Sequence, residues 1–281
     1  MKKAFVLIHF GNNKKYLELE MYLLINLKDN TKNDIIYMYS ITDTPESYVK
    51  VINDLNIKTI PYDDNNITFN LTYNSHYAHF NTLRTCNFIF AYTLIEYDLI
   101  CVIESDMIIM DNIDGIFDLN YPAIHCFEAK AHFTNKLIKL KNRKKALRKC
   151  NSIRLNGGTL LFKPSLELFK SYKKSIKLII NSDCNYPNEI LFIYVNPVFY
   201  NMTMTYNFSH YYIKIYERYL PNIGLIYHFN NAQYKAIDII RDGYIDKLNT
   251  KSKKKEIILF FKNKYYDKYH KSIDNIISKL S

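Results

Sequence analysis

The 281-residue chain contains no tryptophan and only 6 glycines, while Asn, Lys, Ile and Tyr are abundant. This bias fits an AT-rich coding sequence and excludes no chemistry. The five cysteines, Cys86, Cys101, Cys126, Cys150 and Cys184, are odd in number, widely spaced and without a Cys-x-x-Cys pair. That argues against a disulfide frame or a zinc site and for reduced thiols in a cytosol-like compartment. No apolar run reaches the roughly 20 residues of a membrane span, and the run after Met1-Lys2-Lys3 is too short for a signal h-region. A cytoplasmic protein is expected, which makes the Asn-x-Ser/Thr sequons at Asn66, Asn70, Asn201 and Asn207 chance products of Asn richness. No internal repeat and no nucleic-acid-binding module is present.

What is present is an ordinary globular composition, 48% hydrophobic and 23% charged, sufficient for one large domain or a domain with an appended tail. The net charge of +11 gathers partly between Lys136 and Lys149 and again at Lys251, Lys253, Lys254 and Lys255. Such clusters serve as solvated faces, as contacts with an anionic membrane surface, or as a basic lid over a diphosphate.

Apolar periodicity alternates between strands and helices. Phe5–Ile8, Ile35–Tyr39 and Lys58–Ile60 read as strands, separated by a helix from Lys14 to Leu27 and another that starts at Thr44-Pro45-Glu46, with Thr44 as cap. A helix from about Phe80 to Ile95 leads into the strand Leu99–Ile103. Strand Ala123–Phe127, an inserted basic helix within about 132–150, a turn and strand at Arg154–Phe162, a helix to Ile180 and a short helix at Pro187–Tyr194 follow. This order predicts βαβ units and a Rossmann-like, mostly parallel sheet flanked by helices. Residues 250–281 form amphipathic helices that pack back or touch a surface, which divides the chain into a domain at 1–245 and a helical tail at 246–281.

The most informative motif is Glu104-Ser105-Asp106, at the end of the run Leu99–Ile103. Residues i and i+2 of a strand share a face, so the two carboxylates are delivered to one point at the sheet's edge. Mg²⁺ and Mn²⁺ are held against diphosphates by such oxygen ligands. Downstream lie Asn156-Gly157-Gly158 before a strand and Pro164-Ser165, then Pro187-Asn188-Glu189, and finally His228-Phe229-Asn230-Asn231 with Lys235.

The stretch from Tyr97 to Asp118 resembles the metal-binding segment of family 8 glycosyltransferases, the glycogenin-like enzymes, where Asp-x-Asp follows a buried strand and precedes an Asn-Ile-Asp-x-Leu-Phe-Asp motif. Glu104 replaces the first Asp. The resemblance extends to Asn156-Gly157-Gly158, which in that family is Asn-Ser/Ala-Gly lining the sugar pocket, and to His228, which matches the third metal ligand. It implies a GT-A fold and retaining transfer of a hexose from a UDP-sugar to a carbohydrate or protein hydroxyl.

By that resemblance Glu104, Asp106 and His228 hold the metal, with Mn²⁺ favoured over Mg²⁺ because of the imidazole. His9, Asn12, Tyr16, Arg84, Ser105, Gly157, Gly158, Asn231 and Lys235 line the donor nucleotide and sugar. Asn156 and Asn188 orient the sugar, and Glu189 is its nucleophile or the stabiliser of its cationic form. Asn231 stands where the family has Gly, and Lys235 lies one place late. Ile215-Tyr216-Glu217-Arg218-Tyr219-Leu220-Pro221 is similar to the self-glycosylated segment of glycogenin with one residue added. The Glu104 replacement also admits a non-catalytic nucleotide-sugar-binding protein. No nucleic-acid partner is expected, and a monomer or a homodimer is compatible with the sequence.

Overall fold

The computed structural model describes residues 1–71, 83–126, 134–140, 155–180, 186–209, 225–229, 235–249 and 252–280. Strand β1 (Lys3–His9), helix α1 (Lys14–Asn30), strand β2 (Asp34–Ser40), helix α2 (Glu46–Asp54) and strand β3 (Lys58–Tyr62) make two parallel crossover units. Strand β4 (Leu99–Ile103) then pairs in parallel with the other edge of β1. Chain order therefore reverses about β1, and in open α/β sheets ligands bind outside the carboxyl ends of the strands at such a switch point.

Beyond β4 the sheet continues through β8 (Leu155–Phe162), β6 (Ala123–Cys126), β9 (Val198–Asn201) and β7 (Leu137–Lys139), giving eight strands. A second, three-stranded sheet is built from β10 (Phe208–Ser209), β11 (Ile226–His228) and β5 (Met107–Ile109).

Alternation along β1 and β4 feeds two separate cores. Phe5, Leu7, Cys101 and Ile103 face α1 and the C-terminal helices, whereas Ala4, Val6, Ile100 and Val102 face α3 (Leu166–Ile180), α4 (Pro187–Val195) and the helix ahead of β4. All five residues of β4 are buried, as expected of a strand covered on both faces.

The helix expected near Phe80–Ile95 is a 3-10 helix at Leu83–Thr93 among the described residues. Leu83, Cys86, Ile89 and Tyr92 are all fully buried, and their spacing of three matches the eclipsed period of that helix. At α2 the cap is Pro45 and Thr44 makes no side-chain capping bond, so the helix begins one residue later than the Thr-Pro-Glu pattern suggests. The inserted basic helix is corrected in part: Leu137–Lys139 is the edge strand β7, antiparallel to β9, and residues 141–150 lie outside the described set.

After α5 (Ala236–Arg241) the tail forms α6 (Lys253–Phe261), a π-helical turn and α7 (Asp267–Lys279). It packs back on the sheet's own core. Ile257, Ile258, Phe261, Tyr265 and Ile273 are buried in one cluster with Phe5, Tyr22 and Leu24. Arg241 pairs with Glu18, and Lys14 Nζ donates to the Leu280 carbonyl.

Candidate metal centre and donor pocket

Two strand pairings assemble the acidic end of β4 with residues far along the chain. β4 runs antiparallel to β8, and the Glu104 N–H donates to the Gly158 carbonyl at 3.0 Å, which lays Asn156-Gly157-Gly158 beside Glu104-Ser105-Asp106. β5 runs antiparallel to β11 with Met107 opposite His228, and the Phe229 N–H donates to the Asp106 carbonyl at 2.9 Å. The acidic pair sits in the turn between β4 and β5, a correction to the strand geometry read from the sequence. The convergence survives because the turn is held on both sides.

Glu104, Asp106 and His228 each offer one ligand atom, all within 4.8 Å of one another. His228 Nε2 lies 3.0 Å from Glu104 Oε2 and 3.1 Å from Asp106 Oδ1. Among the described residues the same buried nitrogen has no partner in hydrogen-bonding geometry, the two carboxylates lying within ion-pair distance of it. An unpartnered imidazole nitrogen facing two carboxylate oxygens is the donor set that a divalent cation completes, so these residues fit a metal ion.

Burial alone would lower the His228 pKa, but the Asp106 charge, assisted by Glu104, raises it to about 9. Burial would likewise raise Asp106, yet His228 and Lys235 hold its carboxyl well below the usual range. Lys235 Nζ reaches Asp106 Oδ2 at 2.5 Å and the Phe229 carbonyl at 2.8 Å. A positive group already balances the acid here.

Gly158 is required by close approach. A Cβ at that position would stand 2.4 Å from both His228 Nδ1 and Met107 Cε. At Gly157 a Cβ would meet Asn188 Nδ2 at 3.0 Å and Glu189 Cγ at 3.3 Å, while its N–H donates to Glu189 Oε1 at 2.9 Å. Glu189 is buried at the start of α4, and burial, with the Glu104 charge adding, pushes its carboxyl up to about 8. Asn188 is half-buried beside Gly157, and Ser105 is half-buried in the turn.

The other residues expected to line the donor have the following surroundings. His9 is buried, with Nδ1 2.9 Å from Glu20 Oε1 and Nε2 3.0 Å from the Gly11 carbonyl, so both ring nitrogens are engaged within the protein. Arg84 donates through Nε to Asp64 at 2.9 Å and through its two terminal nitrogens to Asp43 at 2.5 and 2.7 Å. Its guanidinium also lies 4.6 Å from the Phe10 ring and 4.9 Å from the Phe69 ring, a cation–π arrangement. Asn12 and Tyr16 are exposed beside the Gly11 turn, where the Tyr48 hydroxyl donates to the Asn12 carbonyl at 2.7 Å. Asn231 and the Tyr216–Tyr219 segment lie outside the described residues.

One site residue was missed in the sequence. Asn207 is fully buried, touches both Asn156 and His228, and had stood out only as a sequon. A polar residue just before the two-residue strand Phe208–Ser209 was the available signal.

No family model matches the sequence, and no curated protein matches it. Solved structures do match. The apo form of the glycosyltransferase GlyE of Streptococcus pneumoniae TIGR4 aligns with a TM-score of 0.58 at 14% identity, covering 97% of this chain and 64% of that one. The galactosyltransferase LgtC, in complex with donor and acceptor sugar analogues, aligns with a TM-score of 0.56 at 12% identity over 95% of this chain and 99% of that one.

The fold is of the GT-A type. The bifunctional glycosyltransferase WbbM in its apo form shares it, with a TM-score of 0.53 at 12% identity over 92% of this chain. This chain spans 64% of the GlyE chain and 51% of the WbbM chain. Among the described residues no helix is long and apolar enough to cross a membrane.

Proposed function

We propose that this GT-A chain is a retaining glycosyltransferase of the glycogenin-like kind, moving a hexose from a UDP-sugar to a hydroxyl acceptor with Mn²⁺ as cofactor. The observation that carries the reading is the meeting of Glu104, Asp106 and the buried His228 Nε2 at the sheet's switch point. A divalent cation supplies Lewis acidity toward the departing diphosphate when bound there. Lys235 adds a second positive charge on the same side, reached by exchanging its bond to Asp106 for one to a phosphate oxygen. Asn188 would orient the sugar. Glu189, anchored by the Gly157 N–H, would face the sugar's cationic carbon as nucleophile or stabiliser.

The test is a panel of UDP-sugars with Mn²⁺, reading released UDP and any mass added to the protein or to a sugar acceptor. Metal-dependent UDP release supports the enzyme. Tight UDP-sugar binding without turnover for any donor would replace it with the binding-protein reading.

A pH dependence follows from Glu189. A carboxyl raised to about 8 is neutral below that value and charged above it, so a reaction that uses the carboxylate accelerates as pH rises through its pKa. The expected result is a rising limb of kcat/KM with its midpoint above the ordinary carboxylate range and below about 8, because a cation offsets the Glu104 charge, and the limb is absent in Glu189→Gln. An unchanged profile in the variant removes Glu189 from the chemistry.

A further inference from the structure

The metal-centre reading leaves open what makes His228 present the correct nitrogen, and this inference rests on that reading. The Gly158 N–H lies 2.9 Å from one side-chain atom of Asn156. A backbone amide only donates, so that atom is the Asn156 oxygen, an assignment independent of His228. One end of the Asn207 amide lies 3.2 Å from both the Asn156 backbone oxygen and Asn156 Oδ1. Facing two acceptors, that end is the nitrogen, and the other end, 3.3 Å from His228 Nδ1, is the oxygen.

His228 Nδ1 therefore faces two oxygens, Asn156 Oδ1 at 3.0 Å and Asn207 Oδ1 at 3.3 Å, and must carry the ring proton. A neutral imidazole so protonated has its lone pair on Nε2, the buried nitrogen between the two carboxylates. Asn156 Oδ1 already takes donors from Gly158, Asn207 and His228, which leaves it no capacity for a sugar hydroxyl.

We infer that Asn156 and Asn207 are positioning residues of the cation centre, fixing the Nδ1–H tautomer and the ring angle of His228 so that Nε2 is offered beside Glu104 and Asp106. Asn207 is itself set in place by the strand that follows it, since β10 pairs with β11 and brings Ser209 opposite His228. The role first expected of Asn156, orienting the sugar, is left to its Nδ2, which is buried and has no hydrogen-bond partner among the described residues.

Mn²⁺ alone is the probe, titrated into the full chain while electron paramagnetic resonance reads the free ion. Asn156→Leu and Asn207→Leu are each expected to weaken binding about 10- to 100-fold. Asn156→Asp keeps an acceptor for Nδ1–H and is expected to retain wild-type affinity. Pulsed resonance should show imidazole nitrogen coupling in the wild type and Asn156→Asp and lose it in Asn156→Leu. Circular dichroism identifies folded variants, and Asn207→Ala replaces any leucine variant that fails to fold. Wild-type affinity in all folded variants overturns this inference alone, whereas absence of Mn²⁺ binding by the wild type overturns the metal centre with it.

Discussion

Asp106→Asn is expected to lower metal-dependent UDP release by about 10³-fold, equivalent to a loss of ~4 kcal/mol of transition-state stabilisation. Asp106 is placed to do two things. Its Oδ1 stands 3.1 Å from His228 Nε2, where a cation would be shared, and its Oδ2 holds Lys235 at 2.5 Å. The amide keeps the shape and one acceptor oxygen but removes the charge that both partners answer to. Folding should survive, because the turn is held by backbone bonds from Glu104 to Gly158 and from Phe229 to Asp106. The control is Asp111→Asn, an exposed acid in the next segment, expected to leave turnover within about twofold. Initial rates across a Mn²⁺ titration decide the matter, and wild-type turnover in Asp106→Asn at every metal concentration would defeat the proposed chemistry.

Arg84→Leu is expected to act on stability, by about 3–5 kcal/mol, rather than on donor affinity. Asp64 is fully buried and accepts from Ser40 at 2.6 Å, Thr42 at 2.9 Å and Asn87 at 2.9 Å, but Arg84 supplies its positive charge. Removing that charge strands a carboxylate in the interior and releases Asp43 from its paired bonds. Asp64 has a lowered pKa in the fold despite burial, through Ser40, Asn87 and Arg84. The stabilisation is therefore present above the ordinary carboxylate range and lost as pH falls below it through the lowered value that Asp64 has in the fold. The gap between wild type and variant should close toward acid pH. Urea melts at neutral and acid pH measure it, and adding Asp64→Asn to Arg84→Leu should recover part of the loss. An Arg84→Leu protein of normal stability but poor donor KM would return Arg84 to the nucleotide, as the sequence resemblance first had it.

Those two residues show what a sequence exposes. β4 and its acidic end were legible because a five-residue apolar run closed by Glu-x-Asp is a local pattern; the mostly parallel sheet followed from the alternation of strands and helices, and its GT-A type only from the family resemblance. Asn156-Gly157-Gly158 and His228 stood out through the family resemblance, since taken alone they read as a tight turn and a structural histidine. What they do to one another was not legible, because the contact between Asn156 and His228 is made by the β4–β8 and β5–β11 pairings. The partners of Arg84 and His9 were hidden for the same reason. Each looked like a polar group free to meet a ligand, and its partners, Asp43 and Asp64 for one and Glu20 for the other, lie on separate elements that only packing unites. Asn207 carried almost no local signal.

The C-terminal helices have a consequence for how the chain is made. Phe5, Tyr22 and Leu24 share their burial with Phe261, Tyr265 and Ile273. A ribosome releases β1 and α1 long before those covering side chains exist, leaving one side of the nascent sheet wet until Phe261, Tyr265 and Ile273 have emerged. Completion of this core thus waits for the C-terminal helices, and the growing polypeptide presents an aromatic-rich surface that chaperones would recognise in the interval.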